Sequence, residues 1–369
     1  MTSVFRAVLG FLLIKLATLL ANLAWFPVLG ATRYHRSRDS WQPPTVSLLV
    51  PMRDEASTLA DHLPAILGQA GVSEFLVLDD QSGDCSAALA QSMLANSGTA
   101  GSAPARLVSG TPPPPGWVGK NWACAQLAAE ASGELLVFCD ADVLLAPHAV
   151  QAVVEAMAAQ RADVFSVFPR QVTGTLGEAL LTPLIDDVLL CFLPFGLLSV
   201  DVPAAATANG SLLALNRRAL AELAGFAAVH AEIVEDVAIA RRARRAGLTL
   251  GLALGGDLVR TRMYRGYREA VTGLGRGLLG VTGGSRLRLS AVTGWHLAVY
   301  TLPLLAAVGR RRWLLPLGLG LAERLLVALK CHPDAAWQAI LTPLCPLAFV
   351  PVAGQAMRRQ QQWKGRSYP

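Results

Sequence analysis

Two kinds of apolar run alternate along this chain. Towards the ends they are long and nearly free of charge. Residues 7–32 are interrupted by Lys15 alone, Leu289–Val308 and Ala335–Met357 hold no Asp, Glu, Lys or Arg, and Trp313–Leu329 carries Glu323 and Arg324. A helix of about 20 apolar residues crosses a hydrocarbon core, so the runs predict membrane helices at both ends of the chain. In the middle the runs shorten to strand length: Thr45–Pro51, Glu74–Asp79, Arg106–Ser109 and Glu134–Cys139. Between them lie helix-spaced stretches: 56–70 with Leu59, Leu63, Ile66 and Leu67, then Cys85–Leu94 and Ala123–Ala131. Strands alternating with crossover helices predict an α/β domain with a mostly parallel, doubly wound sheet. Ligands bind beyond the carboxyl ends of such strands.

Composition supports the membrane reading, because 53% of residues are hydrophobic and only 16% are charged, against about 25% charged in soluble domains. The first apolar run is too long for a signal-peptide core and lacks a small-residue cleavage site. Trp25-Phe26-Pro27, followed by Arg33, His35, Arg36 and Arg38, reads as an interfacial girdle with a positive flank. Positive flanks face the cytoplasm, which places the middle domain there. Arg310–Arg312 and the tail bases Arg358, Arg359, Lys364 and Arg366 want the same side. Three full crossings cannot satisfy them all: either one C-terminal segment, that with Glu323 and Arg324 first, re-enters or lies in the interface, or the count of positive flanks misleads here. The net charge of +6 fits anionic headgroups and calls for no nucleic acid. Six cysteines form no C-x-x-C pair and read as small apolar residues in a reducing compartment.

The polar residues of the middle domain fall at the strand ends. The first strand runs into Arg53-Asp54-Glu55, the second into Asp79-Asp80 and the fourth into Asp140-Ala141-Asp142. Single acidic pairs are ordinary at turns. Three at one edge call for a cation or for donors between them. The D-x-D at 140–142 suits one hard divalent ion, Mg²⁺ or Mn²⁺, shared with substrate phosphate oxygens. There is no G-x-x-x-x-G-K-[ST] loop, and no G-x-G-x-x-G follows the first strand. What remains is a carboxylate-and-metal handler of a diphosphate.

These residues resemble the family 2 glycosyltransferases. Pro51-Met-Arg-Asp-Glu55, Leu76-Val-Leu-Asp-Asp80-Gln-Ser-Gly-Asp84, Cys139-Asp-Ala-Asp142 and Glu235-Asp236 occur in that family's order. Pro115-Gly-Trp-Val-Gly-Lys-Asn-Trp-Ala123 and Trp363-Lys-Gly-Arg366 are similar to carotenoid (chlorobactene-type) glucosyltransferases, and hopanoid-associated enzymes share the central motifs. The resemblance implies a GT-A nucleotide-sugar-binding domain, a doubly wound mixed sheet, with N- and C-terminal transmembrane helices. It implies that Pro51, Arg53, Asp54, Glu55, Asp79 and Asp80 hold a UDP-sugar donor, and that Asp142 with Asp140 ligates the metal beside the diphosphate. Lys120 would reach donor phosphate or base, and Asp236, with Glu235, would be the catalytic base, Glu232 being a lesser competitor. Trp117, Asn209 and Gly210 would shape the acceptor site. The Q-x-x-R-W motif of processive members is missing; Arg265 or Arg276 would supply the cation in its place, and a single transfer is favoured over polymer synthesis.

The expected organisation is an anchor over 1–40, the GT-A domain over 41–285 and a C-terminal membrane region with a basic cytoplasmic tail over 286–369. Within the middle domain, 182–200 suits either a segment lying in the interface or a buried core helix. The expected reaction moves glucose from UDP-glucose to the hydroxyl of a lipid acceptor such as a carotenoid or hopanoid, at the inner face of the cell membrane. The alternatives are a polyprenyl-phosphate or polysaccharide glycosyltransferase, and a lipid-binding or transport protein without catalysis.

Overall fold

The computed structural model describes residues 2–30, 42–97, 103–196, 206–358, 361–363 and 366–368. The basic residues 33–38, Arg359 and Lys364, and positions 197–200 of the stretch expected at the interface, lie outside them. The chain divides into two units: Phe26–Arg170 with Leu197–Thr261, and Met1–Trp25 with Gln171–Gly196 and Arg262–Pro369. Helix α1 (Thr2–Trp25) opens the chain and belongs to the second.

The first unit is a seven-stranded sheet flanked by helices. In chain order it contains β1 (Val46–Met52), α2 (Ala56–Leu67), β2 (Glu74–Asp79), α3 (Ser86–Ser97), β3 (Ala105–Ser109), α4 (Gly119–Glu130), β4 (Leu135–Cys139), β5 (Val143–Leu145), α5 (Ala149–Ala159) and β6 (Val164–Phe168). After the two-residue β7 (Arg170–Gln171) come α6 (Leu176–Leu181) and α7 (Leu184–Phe192) of the other unit, then β8 (Leu212–Asn216), α8 (Arg217–Glu222), α9 (Glu235–Arg245), β9 (Leu250–Leu254) and β10 (Val259–Thr261). The sheet order is β3-β2-β1-β4-β8-β6-β9. Strands β1 to β4 pair in parallel, with Leu49 opposite both Leu76 and Phe138. Strands β1, β2 and β4 are buried on both faces, which explains their unbroken apolar runs; β3, at the sheet edge, is part-exposed. Pro51 is tolerated because β1 pairs with β4 only as far as Leu49, so the missing N–H falls beyond that ladder.

The sheet is mixed because β8 runs antiparallel to both β4 and β6. That reversal matters for chemistry. Cys139, the last residue of β4, pairs with Leu212, the first of β8, so the turn leading into β8 lies beside the carboxylates leaving β4.

The second unit is helical. It holds α1, α6, α7, α10 (Tyr267–Val281) and α11 (Arg286–His296), which continues through a π turn (Leu297–Thr301) into α12 (Leu302–Ala307). Helix α13 (Leu314–Cys331) follows, then a 3₁₀ stretch (Pro333–Leu344) running into α14 (Cys345–Ala356). Thr2–Trp25, Arg286–Ala307 and Pro333–Ala356 are each long and apolar enough to cross a membrane, as the charge-free runs predict.

Helix α1 buries Val8, Leu12, Lys15, Leu19 and Asn22, spaced alternately four and three residues apart and so lying on one helix face. Lys15 does not face solvent. Its ammonium lies 3.0 Å from Asp187 of α7 and 2.7 Å from Glu323 of α13, and donates to the Tyr300 hydroxyl. Asn22 donates to the Leu190 and Leu193 carbonyls and accepts from the Phe195 N–H. The pair Glu323/Arg324, costly at mid-depth as isolated charges, is thus internal: Glu323 meets Lys15, and Arg324 donates to the Pro183 carbonyl at 2.5 Å. As far as Gly196, the stretch expected at the interface or in the core includes α7, whose Asp186 and Asp187 are both buried. Val188 and Phe192 of the same helix stay exposed.

Removing one partner of a buried ion cluster costs about 3–5 kcal/mol, because the other charges stay buried and unpaired. Lys15→Met, which keeps the length and loses the charge, is therefore expected to lower the thermal unfolding midpoint of the detergent-purified protein by many degrees. An unchanged midpoint would mean that Asp187 and Glu323 do not depend on Lys15.

Candidate active site

The loops after β1 and β2 brace one another. Arg53 donates to the carbonyls of Asp80 at 2.5 Å and Gln81 at 3.1 Å. Asp54 adopts φ +50°, a left-handed conformation that Asp tolerates better than most residues. Its Oδ1 accepts from the Gly83 N–H at 2.7 Å, and its own N–H donates to the Ser82 hydroxyl. The Glu55 N–H donates to the Ser86 hydroxyl, and its carboxylate accepts from Thr58. Asp79 accepts from the Ser82 N–H, and Asp80 is buried. Asp84 accepts from Ser86 and from the Ala56 N–H. Burial alone would raise its pKa, but these bonds hold it below the usual carboxylate value. Several of the acidic groups expected at the donor therefore also fix the two loops.

The second half of the site gathers at the β4–β8 edge. Lys120, in the first turn of α4, reaches both oxygens of Asp140 at 2.8 and 3.1 Å, and Glu235 at 3.1 Å. Asp236 accepts from the Gly210 N–H at 2.6 Å and from the Val237 N–H at 2.7 Å. Asp140 is tied to the same turn, its N–H donating to the Ser211 carbonyl. Gly210 sits at the junction: a Cβ there would lie 3.0 Å from Glu235, 3.1 Å from Lys120 and 3.3 Å from Asp236. Gly210→Ala is expected to part these groups and lower turnover by about tenfold or more, as small misplacements of catalytic groups do. Turnover within twofold of the parent would show that the cluster has slack.

Electrostatics sort the carboxylates. Asp236 has its pKa raised to about 7, by burial first and by neighbouring Glu235 second, against the opposing pull of Lys120 and its two N–H donors. Burial works against the charge on Lys120, but Asp140 and Glu235 outweigh it and hold the ammonium protonated. The Cys124 thiol is pushed up by burial, and it feels Lys120, Glu235, Asp140 and Asp80 together, which marks those four charges as neighbours. Asp140 and Asp142 offer hard oxygen donors, and Asp140 already holds a cation in Lys120. A donor set of that kind fits Mg²⁺ or Mn²⁺.

Two other features position the site. Trp117 is half-buried, edge-on to Trp122 at 5.0 Å and tilted against His230 at 5.6 Å. Asn121, unmarked by the motifs, is fully buried, and its amide donates to the carbonyls of Val229, His230 and Glu232. It clamps the loop before Glu235-Asp236 to the helix carrying Lys120. The available signal was its place beside Lys120: the next residue on a helix points about 100° away, towards a different partner. Asn209 spends its Oδ1 on the Ser211 N–H and its own N–H on Ser166, so its side chain shapes the turn. Arg265 and Arg276 belong to the helical unit, where the Arg265 N–H donates to Glu269 and Arg276 lies on α10.

The sheet order, the D-x-D at the end of β4 and the acidic pair opening α9 fit a sugar-nucleotide enzyme. The model of glycosyl transferase family 21 matches residues 20–265. The chain belongs to this family. The glycosyltransferase resemblance read from the motifs is thus borne out. A curated relative, 4,4'-diaponeurosporenoate glycosyltransferase of Staphylococcus haemolyticus, is 25% identical over 251 residues, 65% of this chain. The chain spans 62% of that relative's length. A mannosyltransferase of Pyrobaculum calidifontis, solved with GDP-Man and Mn²⁺, is similar with a TM-score of 0.57 and 19% identity, over 96% of this chain and 97% of that one. At this identity the likeness shows the fold: the family 21 protein has the GT-A architecture expected of it.

Proposed function

We propose that this glycosyltransferase is an integral membrane enzyme that moves a sugar, glucose as the leading candidate, from a UDP-sugar to the hydroxyl of a lipid acceptor with inversion, and depends on Mg²⁺ or Mn²⁺. The observation that carries the reading is Asp236: a carboxylate with a pKa near 7, held by two N–H donors one residue from Glu235, whose carboxylate meets the Lys120–Asp140 pair. A general base works best when its pKa lies near the operating pH. Asp236 takes the proton from the acceptor hydroxyl as its oxygen bonds to the anomeric carbon, and the bond to the diphosphate breaks with its electron pair leaving on UDP. Lys120 supplies positive charge on the leaving-group side, while the braced loops bearing Arg53 to Glu55 and Asp79-Asp80 hold the nucleoside. Asp142 and Asp140 would hold the metal, whose charge offsets that developing on the diphosphate. Trp117 and the Gly210 turn would border the acceptor.

Three spanning-length apolar helices and the burial of Lys15 within the helical unit support a retained anchor in a multi-pass protein, its catalytic unit facing the cytoplasm. The test is incubation of detergent-solubilised enzyme with radiolabelled UDP-glucose, Mn²⁺ and a lipid extract. Label in the organic phase supports the reading; label released only as free glucose counts against it. The free-enzyme pKa of the base governs kcat/KM. Below about pH 7 Asp236 is protonated and cannot accept a proton, so kcat/KM is expected to rise tenfold per pH unit on the acid side and level off above neutrality. A flat profile between pH 5 and 8 would remove Asp236 from that role.

A further inference from the structure

A cavity of about 340 Å³ lies within the helical unit, its walls apolar and drawn from α7, α10, α11, α13 and α14. That is the lower end of the ~300–1,000 Å³ range of small-molecule sites, enough for a stretch of one chain. Val281 and Val292 line it and are exposed, marking its rim. Asp187, His296, Glu323 and Arg324 also line it and make it more than a packing fault. Glu323 and Arg324 are 1% and 4% exposed, and each keeps a polar atom without a hydrogen-bond partner: Oε2 of Glu323 and Nη2 of Arg324. Buried polar groups are rarely left so. One unmet atom is an acceptor and the other a donor. His296 donates from Nδ1 to the Val292 carbonyl at 2.8 Å, which leaves Nε2 as a further acceptor.

We infer that this cavity binds a lipid alcohol, its chain along the apolar walls and its hydroxyl at the Glu323–Arg324 end, and that it discriminates against lipids with acid or phosphate heads. A hydroxyl can both donate, to Glu323 or His296, and accept, from Arg324. A carboxylate or phosphate brings acceptors only, and it brings them to an end that already holds Asp187 and Glu323. Lys15 is committed to those two carboxylates. The charge of Arg324 already acts on Asp186 and Asp187, with His332 3.6 Å from Asp186. With these cations already committed, a further anion would enter a low-dielectric interior without a counter-charge of its own. The inference rests on the lipid-acceptor reading in taking the selected alcohol as the acceptor; retention itself is independent of sugar transfer.

The experiment uses full-length protein in detergent, without sugar donor, and three radiolabelled probes of one chain length: geranylgeraniol, geranylgeranyl phosphate and geranylgeranoic acid. Saturable retention of the alcohol near one per chain is expected, with the phosphate and the acid at least tenfold weaker. Equal retention of all three, or alcohol retention no greater than in empty micelles, overturns the inference. Val292→Trp, which fills the cavity from its rim, is expected to weaken alcohol retention at least tenfold with a thermal midpoint close to wild type. A folded Val292→Trp that retains the alcohol normally overturns the placement, and if that variant misfolds the wild-type series decides alone. No transfer is measured, so failed retention leaves the glycosyltransferase reading standing, and failed transfer leaves retention standing.

Discussion

Asp236→Asn is expected to lower kcat for sugar transfer by about 10²–10⁴-fold, the range a positioned general base contributes, while the affinity for UDP-sugar stays within a few-fold. Geometry explains why the loss should be near-complete. Two N–H groups, from Gly210 and Val237, each donate to one oxygen of this carboxylate. An asparagine offers one oxygen, so its NH₂ group meets the second N–H donor to donor. Asp236→Ala removes that clash as well as the base, and should be equally inactive. If either variant keeps near-wild-type turnover, the base lies elsewhere, and Glu235 and Glu232 become the next residues to test. Donor affinity, read by titration calorimetry with UDP-glucose and Mn²⁺, separates loss of the base from loss of the fold.

Asp142→Ala is expected to strike the donor instead. If Asp142 with Asp140 holds the metal, losing it forfeits several kcal/mol of charge stabilisation, or about two to three orders of magnitude in kcat/KM. UDP-sugar affinity should then become nearly independent of Mn²⁺. The main-chain carbonyl of Asp142, which accepts from the Thr261 hydroxyl, is unchanged by this substitution. Undiminished Mn²⁺ dependence in the variant would exclude Asp142 as a ligand. The two variants thus differ in kind, one failing at turnover with donor bound, the other at metal-assisted binding.

Features set by local patterning were legible from the residues. The four expected strands form; β1, β2 and β4 are apolar runs without alternation and are buried on both faces, whereas the edge strand β3 stays part-exposed. Their carboxylates emerge at one edge, since parallel neighbours all end on the same side. The charge-free runs become spanning-length helices for an equally local reason. The roles of single polar residues were less legible. Asp54 and Asn209, expected at the donor and the acceptor, also serve backbone N–H groups, Asp54 that of Gly83 in the loop after β2 and Asn209 that of Ser211 in its own turn, an alternative open to short polar side chains. Asn121 carried no obvious signal, because its three carbonyl partners lie over a hundred residues away.

Lys15 shows the limit most clearly. Along the chain it is one charge interrupting an apolar helix, and nothing nearby pairs with it. Its partners, Asp187 and Glu323, are 172 and 308 positions distant, on segments each of which looked awkward by itself. The sequence alone determined the layers: an α/β sheet with acidic strand ends, a D-x-D, and apolar helices on both flanks, all of which follow from the period and content of contiguous residues. Only the tertiary structure decided which charges meet. It reversed β8 to bring Gly210 beside Asp140, drew Lys120 between Asp140 and Glu235, and closed the helical unit around Lys15. Burial makes an unpaired charge costly whatever its distance along the chain, and the only partners available were those the fold carried to it.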